Sequence, residues 1–148
     1  DVKISKSKGQ KEIKEGRYTG WNDPRTWSVQ SLIKRGIQAE ALRKFLLSLG
    51  VKDNEITVPI DILYAENRKI LHEKAKQAKF QETKKGKGYM QVIMPNGEFI
   101  EGKAVIEPKK DEIIHFVGFG YCKFDKVKKG KLIFYFAHPW IKRGDNET

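Results

Sequence analysis

Between residues 28 and 71 apolar side chains return every three or four positions; beyond residue 89 they come in short runs broken by glycine. The first pattern predicts helices and the second predicts strands. Residues 10–15 read as a short helix that Gly16 ends. Ser28 is placed to cap a helix running to Arg35, with Val29, Leu32 and Ile33 on one face and Gly36 just past its end. Ala39, Leu42, Phe45, Leu46 and Leu49 then recur at helical spacing up to Gly50. Thr57 or Val58 before Pro59 marks a further start, because proline suits the first helical position. Ile60, Leu63, Tyr64 and Ile70 form that helix's apolar face. Three short helices with tight links make a small helical module.

The second half changes period. Tyr89–Met94 is rich in strand formers, and Pro95-Asn96-Gly97 is a turn. Glu98–Glu101 resumes, Gly102 interrupts, and Lys103–Ile106 follows. Glu112–Val117, Tyr121–Asp125 and Leu132–Ala137 complete the set. Gly118 and Gly120 bracket Phe119, which predicts a bulge or sharp bend. Short strands with glycine turns read as a small antiparallel barrel. The expected class is α+β, a helical module at 1–71 and a barrel at 89–148 whose tail frays after Trp140. Residues 72–88 are a basic connector, whose pattern fits a helix end, a strand edge or a linker.

Charge then narrows the function. With 30 lysines and arginines against 19 acids in 148 residues, the net charge is +11. Residues 72–88 hold six basic and two acidic groups, the densest excess along the chain, so the basicity is not uniform. This favours a polyanionic partner. No apolar run approaches the roughly 20 residues that cross a bilayer, so no membrane partner is expected. No signal peptide is visible, and a first residue of aspartate leads us to expect that the natural start lies elsewhere. A lone cysteine, Cys122, points to a reducing, cytoplasmic setting. One cysteine and three histidines give no basis for a protein-bound metal; His115 and His138 read as ordinary strand or turn residues.

Lys3-Ile4-Ser5-Lys6-Ser7 alternates two ammoniums with two hydroxyls, a composition that suits a loop closing on phosphates. Beyond it stand Gly20-Trp21-Asn22-Asp23-Pro24-Arg25-Thr26-Trp27-Ser28, Lys34-Arg35-Gly36-Ile37, Glu40-Ala41-Leu42-Arg43 and Tyr64-Ala65-Glu66-Asn67-Arg68-Lys69. Together these resemble archaeal and eukaryotic-type glutamyl-tRNA synthetases, almost continuously over 1–71. Lys3–Ser7 matches the signature loop of class I synthetases, with Ile4 where the family has methionine. Val92–Gly97, Asp111–Phe116, Phe119-Gly120 and Phe134–His138 are similar to the last strands of the family's anticodon-binding region. The long two-barrel region between these blocks is replaced by about 17 residues. The Rossmann half, with its histidine-glycine-histidine signature, has no counterpart.

The resemblance implies a C-terminal part of a glutamate–tRNA ligase, inactive alone, either a split subunit or an excised piece. Its substrates are ATP, with Mg2+ expected from the family, and glutamate, both bound through the absent N-terminal catalytic half; its partner is tRNA-Glu. Lys6 is expected to stabilise the developing pyrophosphate and Lys3 to support it. Ser5 and Ser7, with Lys6, hold the ATP phosphates. Arg25, Lys34, Arg35, Arg43 and Lys44 are expected on tRNA phosphates, although Arg25 serves equally well as a local structural residue. Trp21 and Trp27 read as anchors. Tyr89, Phe99, Phe119 and Tyr121 are candidates to stack on anticodon bases, with at least half of them facing the core. Rival readings are a stand-alone tRNA- or RNA-binding module and an adaptor docking on a synthetase.

Overall fold

The computed structural model describes residues 2–49 and 55–140. The chain forms two compact units, Asp1–Lys74 and Ala75–Thr148. In the first, β1 (Val2–Ser5) pairs antiparallel with β2 (Glu55–Val58). Helices α1 (Lys6–Lys14), α2 (Val29–Arg35), α3 (Ala39–Leu49) and α4 (Ile60–Lys74) make up the rest, with a 3-10 turn at Pro24–Thr26. Leu32, Ile37, Ala41, Leu42, Phe45, Ile60 and Leu63 form its core.

The α2 boundaries follow from its ends. The Ser28 hydroxyl accepts from the Ser31 N–H at 3.0 Å and caps the start. Gly36 turns left-handed at φ +111, which lets Ile37 N–H reach the Leu32 carbonyl at 3.0 Å. Of the face expected for α2, only Leu32 is buried; Val29 and Ile33 are exposed. Leu46 on α3 is exposed as well. Gly50, expected to stop α3, lies outside the described residues. α1 starts four residues earlier than its periodicity predicts, and α4 begins after Pro59 because Glu55–Val58 is a strand.

The second unit is one seven-stranded sheet. Its strands are β3 (Lys76–Lys79), β4 (Gln81–Thr83), β5 (Met90–Ile93), β6 (Phe99–Lys103), β7 (Ile113–Val117), β8 (Gly120–Lys128) and β9 (Lys131–Pro139), in the order β3-β7-β8-β9-β5-β6-β4. The α+β class holds, and the sheet curls into a half-barrel. It is mixed rather than purely antiparallel: β3 runs parallel to β7, and β5 parallel to β9. The two edge strands, β3 and β4, are consecutive in sequence with only Phe80 between them. Successive Cα atoms are about 3.8 Å apart, so the sheet must curl until its opposite edges meet at Phe80. That ring packs on Phe116 and Phe119 at 5.3 and 4.7 Å between centroids. Met90, Val92, Ile114, Phe116, Cys122, Phe124, Phe134 and Phe136 fill the concave side.

Residues 72–88 therefore end α4 and then supply both edge strands, rather than forming a separate connector. Gly102 lies within β6 instead of interrupting it, and Ala104–Ile106 continue without strand pairing. Gly118 and Gly120 build the tight turn from β7 to β8; the bulges lie further on, at Tyr121/Cys122 and Phe124/Lys126. The tail beyond Trp140 lies outside the described residues.

Candidate functional site

The segment from Thr19 to Ser31 is organised by one buried carboxylate. Asp23 Oδ2 accepts the Thr19 N–H at 3.0 Å, and Oδ1 accepts the Arg25 N–H at 3.0 Å. The Arg25 guanidinium donates to both oxygens, at 2.9 and 2.7 Å, and to the Arg17 carbonyl at 3.0 Å. It also lies 4.6 Å from the Tyr18 ring centroid. Burial raises the Asp23 pKa, but the bonds from the Arg25 side chain and from the backbone N–H groups of Arg25 and Thr19 outweigh it and bring it to about 2. Thr26 and Ser28 hydroxyls tie the Trp21 carbonyl to the start of α2, at 3.2 and 2.5 Å.

Trp21 and Trp27 serve as anchors. The Trp21 ring lies on α1 so closely that a Cβ on Gly9 would stand 2.9 Å from its Cζ3 atom. This explains a glycine inside a helix, where it is otherwise unfavourable. Arg35 is 1% exposed, with its guanidinium 4.8 Å from the Trp27 ring and 5.6 Å from the Tyr64 ring. It donates to the Tyr64 hydroxyl at 2.7 Å. Arg35 is thus an internal strut, and its burial removes it from the expected set of phosphate contacts. Arg25 is committed to Asp23, Arg17 and Tyr18, the structural alternative foreseen for it. Arg43 and Lys44 are exposed on α3, and Lys34 is half-buried at the end of α2.

The stretch expected as a loop is a strand–helix junction. Lys3 and Ser5 fall on β1, while Lys6 and Ser7 occupy the exposed first turn of α1. The first-turn N–H groups of a helix have no partner within it, so Lys6 stands where anions are favoured. Among the described residues, no three His, Cys, Asp or Glu side chains converge as a metal site. None of their helices is long and apolar enough to cross a membrane.

In the second unit Tyr121 is buried between His115 and His138, with ring centroids at 4.6 and 5.1 Å, and Phe119 packs on Phe80 and Phe136. Tyr121 and Phe119 thus make ring contacts within the unit. Tyr89 is exposed, its hydroxyl bonded to the Ala104 backbone, and Phe99 is half-buried under Lys85. Two polar residues escaped the sequence reading. Asn67 sits fully buried on α4 among Leu63 and Leu71, and a polar side chain on that apolar stripe was its signal. Glu101 is 3% exposed and accepts from Lys131 Nζ at 2.7 Å. It follows the outward alternation of its strand, so nothing in the sequence marked it.

These features define a two-unit basic chain: a helical unit braced by buried arginine–aromatic contacts, and a curled sheet. Half of the chain is similar to known ligases. It is 50% identical over 68 residues to the glutamate–tRNA ligase of Methanothrix thermoacetophila, covering 46% of this chain and 12% of that one. It is 47% identical over 73 residues to the glutamate–tRNA ligase of Archaeoglobus fulgidus, covering 49% and 13%. With the Thermococcus kodakarensis glutamate–tRNA ligase the identity is 46% over 70 residues, covering 47% and 12%. The matched stretch is thus only about an eighth of each of these relatives. No family model matches the chain.

Proposed function

We propose that this chain is the C-terminal part of a glutamate–tRNA ligase, supplying a phosphate-binding segment and tRNA contacts for ATP-dependent attachment of glutamate to tRNA. The observation that carries the reading is the identity of 46–50% with three archaeal glutamate–tRNA ligases over about 70 residues. The fold adds a physical reason: Trp21, Asp23, Arg25, Trp27 and Ser28 are all engaged in one local framework.

In this reading Lys6, at the start of α1, neutralises charge developing on the pyrophosphate leaving group, and Ser7 adds a hydroxyl donor beside it. Lys3 and Ser5 support the same phosphates from β1. Any Mg2+ arrives with the ATP phosphates. Lys34, Arg43 and Lys44 contact the tRNA backbone; Arg25 and Arg35 hold the unit that presents them. Adenine, ribose and glutamate are bound by a catalytic half that acts with this chain in the cytoplasm.

The test is ATP–pyrophosphate exchange and aminoacylation of tRNA-Glu, by this chain alone and with a Rossmann-bearing partner. The expected result is background exchange alone and activity on reconstitution. Lys6→Ala should then lower the activation rate by about 10²–10³ and leave tRNA affinity nearly unchanged. Loss of tRNA binding with adenylate formation intact would instead make Lys3–Ser7 an RNA-binding segment.

A further inference from the structure

α1 is a weak helix by composition: its nine residues carry four lysines and a glycine. A helix this short is marginal in water by itself, so contacts with the rest of the unit set its direction. Two of them lead to the Asp23 framework. Past the end of α1, Gly16 turns left-handed at φ +81, and the Glu12 carbonyl accepts the Arg17 and Tyr18 N–H groups at 2.9 and 3.1 Å. The Arg17 carbonyl in turn accepts from the Arg25 guanidinium that pairs with Asp23. Near the start, Gly9 is the residue that α1 buries, and it faces the Trp21 ring. Trp21 is itself held, because its carbonyl accepts the Thr26 and Ser28 hydroxyls and the Asp23 N–H returns to the Gly20 carbonyl at 3.1 Å.

Gly9 stands three residues after Lys6, on the same side of the helix and about 4.5 Å further along its axis. A Cβ on Gly9 would lie 2.9 Å from Trp21 Cζ3 and 3.2 Å from Cη2, whereas carbon atoms rest about 3.5–4.0 Å apart. The bare backbone at Gly9 therefore sets how closely α1 sits on the ring. A methyl group there would push helix and ring apart by about 0.5–1 Å, and the first turn, with Lys6, would travel with the helix. A misplacement of about 1 Å far from the chemistry can cost about 10²-fold in rate. Helix propensity has the opposite sign: alanine is the better helix former, so the same substitution firms α1.

We infer that Gly9 and Trp21 are a positioning pair for Lys6: glycine seats α1 on the indole ring at the separation that carries the ammonium to the phosphates. The inference rests on the ligase reading of Lys6 and adds to it two residues that act through Lys6 rather than on the substrate.

The experiment measures ATP–pyrophosphate exchange by the full chain with its Rossmann-bearing partner, and urea melts establish that each variant is folded. Gly9→Ala should lower kcat by about ten- to a hundredfold. KM for ATP and for glutamate should stay within about threefold, because the ammonium is needed as charge develops on the leaving group. With Lys6→Ala already in place, Gly9→Ala should cost less than about twofold more, since the group it misplaces is gone. Trp21→Phe shortens the ring and should slow the reaction by itself. Combined with Gly9→Ala it leaves room for the Cβ, and the double variant should be faster than Gly9→Ala alone. Gly9→Ala at the wild-type kcat, an equal loss with and without Lys6, or no recovery in the double variant would each overturn the inference and leave the ligase reading standing. No exchange by the wild-type pair, or full activity of Lys6→Ala, would overturn the ligase reading of Lys6 and the inference with it.

Discussion

Asp23 gathers two backbone N–H groups and one guanidinium into a single carboxylate, and its charge is what they share. Its pKa in the folded chain is about 2 against an ordinary 3.8. Between these values the unfolded chain binds more protons than the folded one, so stability rises with pH through that window. The contribution is complete above about pH 4.5 and is lost as pH falls towards 2. Urea melts followed by tryptophan fluorescence should show this slope, and Asp23→Asn should flatten it while lowering stability at neutral pH. An unchanged slope in the variant would remove Asp23 as its source. At Gly102 the constraint is steric. A Cβ there would stand 2.2 Å from Phe80 Cζ and 2.7 Å from the Gln81 carbonyl. Gly102→Ala should cost about 1–3 kcal/mol by overpacking, and Phe80→Leu in the same chain should recover part of it. Additive losses in the double variant would mean that the ring is not the obstacle.

Elements joined by local signals were legible, and those joined at a distance were not. Ser28 and Gly36 bounded α2 because caps act within a turn of the chain. Pro95-Asn96-Gly97 marked the β5–β6 hairpin for the same reason: Gly97 sits at φ +89 and its N–H closes on Met94 at 2.9 Å. β2 was missed, and for the stretch that holds the edge strands β3 and β4 a strand edge was one of three open alternatives. Lys76–Lys79 and Gln81–Thr83 are mostly exposed, so no apolar alternation announced them. Their strand character comes from partners more than 15 residues away, β7 and β6. The candidate site divides in the same manner. The sequence marked Asp23, Arg25 and Arg35 as a block, yet charge alone does not tell an exposed arginine from one stacked on Trp27. Asn67 shows how helices in this unit are held. Its Oδ1 accepts the Gln38 N–H at 2.7 Å and its Nδ2 donates to the Gly36 carbonyl at 3.2 Å, fastening α4 to the α2–α3 turn. Asn67→Ala should destabilise the unit by about 1–3 kcal/mol, the usual cost of stranding buried polar groups. Loss of under 0.5 kcal/mol in denaturant melts would show that water replaces the amide there.

Across the whole chain, a net charge of +11 sets how strongly it is drawn to any polyanion, while burial decides which cations take part. Arg35 is enclosed and Arg25 is committed to Asp23, which leaves Lys34, Arg43 and Lys44 as the first unit's candidates for tRNA phosphates. Each contact contributes about 0.7–0.9 to the log–log salt slope, so three such contacts would account for roughly −2 to −3 of it. Replacing Arg43 and Lys44 by alanine should flatten the slope by about 1.5, equally for cognate and non-cognate tRNA, because phosphate contacts position without reading sequence. Arg35→Ala separates structure from contact. It removes the packing on Trp27 and Tyr64 and should cost about 2–4 kcal/mol of stability, yet below the melting temperature the slope should match the wild type. Filter binding at four or five salt concentrations reads the slope, and thermal melts read the stability. If Arg35→Ala flattened the slope by about 1 without lowering the melting temperature, the guanidinium would have to reach the phosphate backbone, and its place between the two rings would not be the state that binds tRNA.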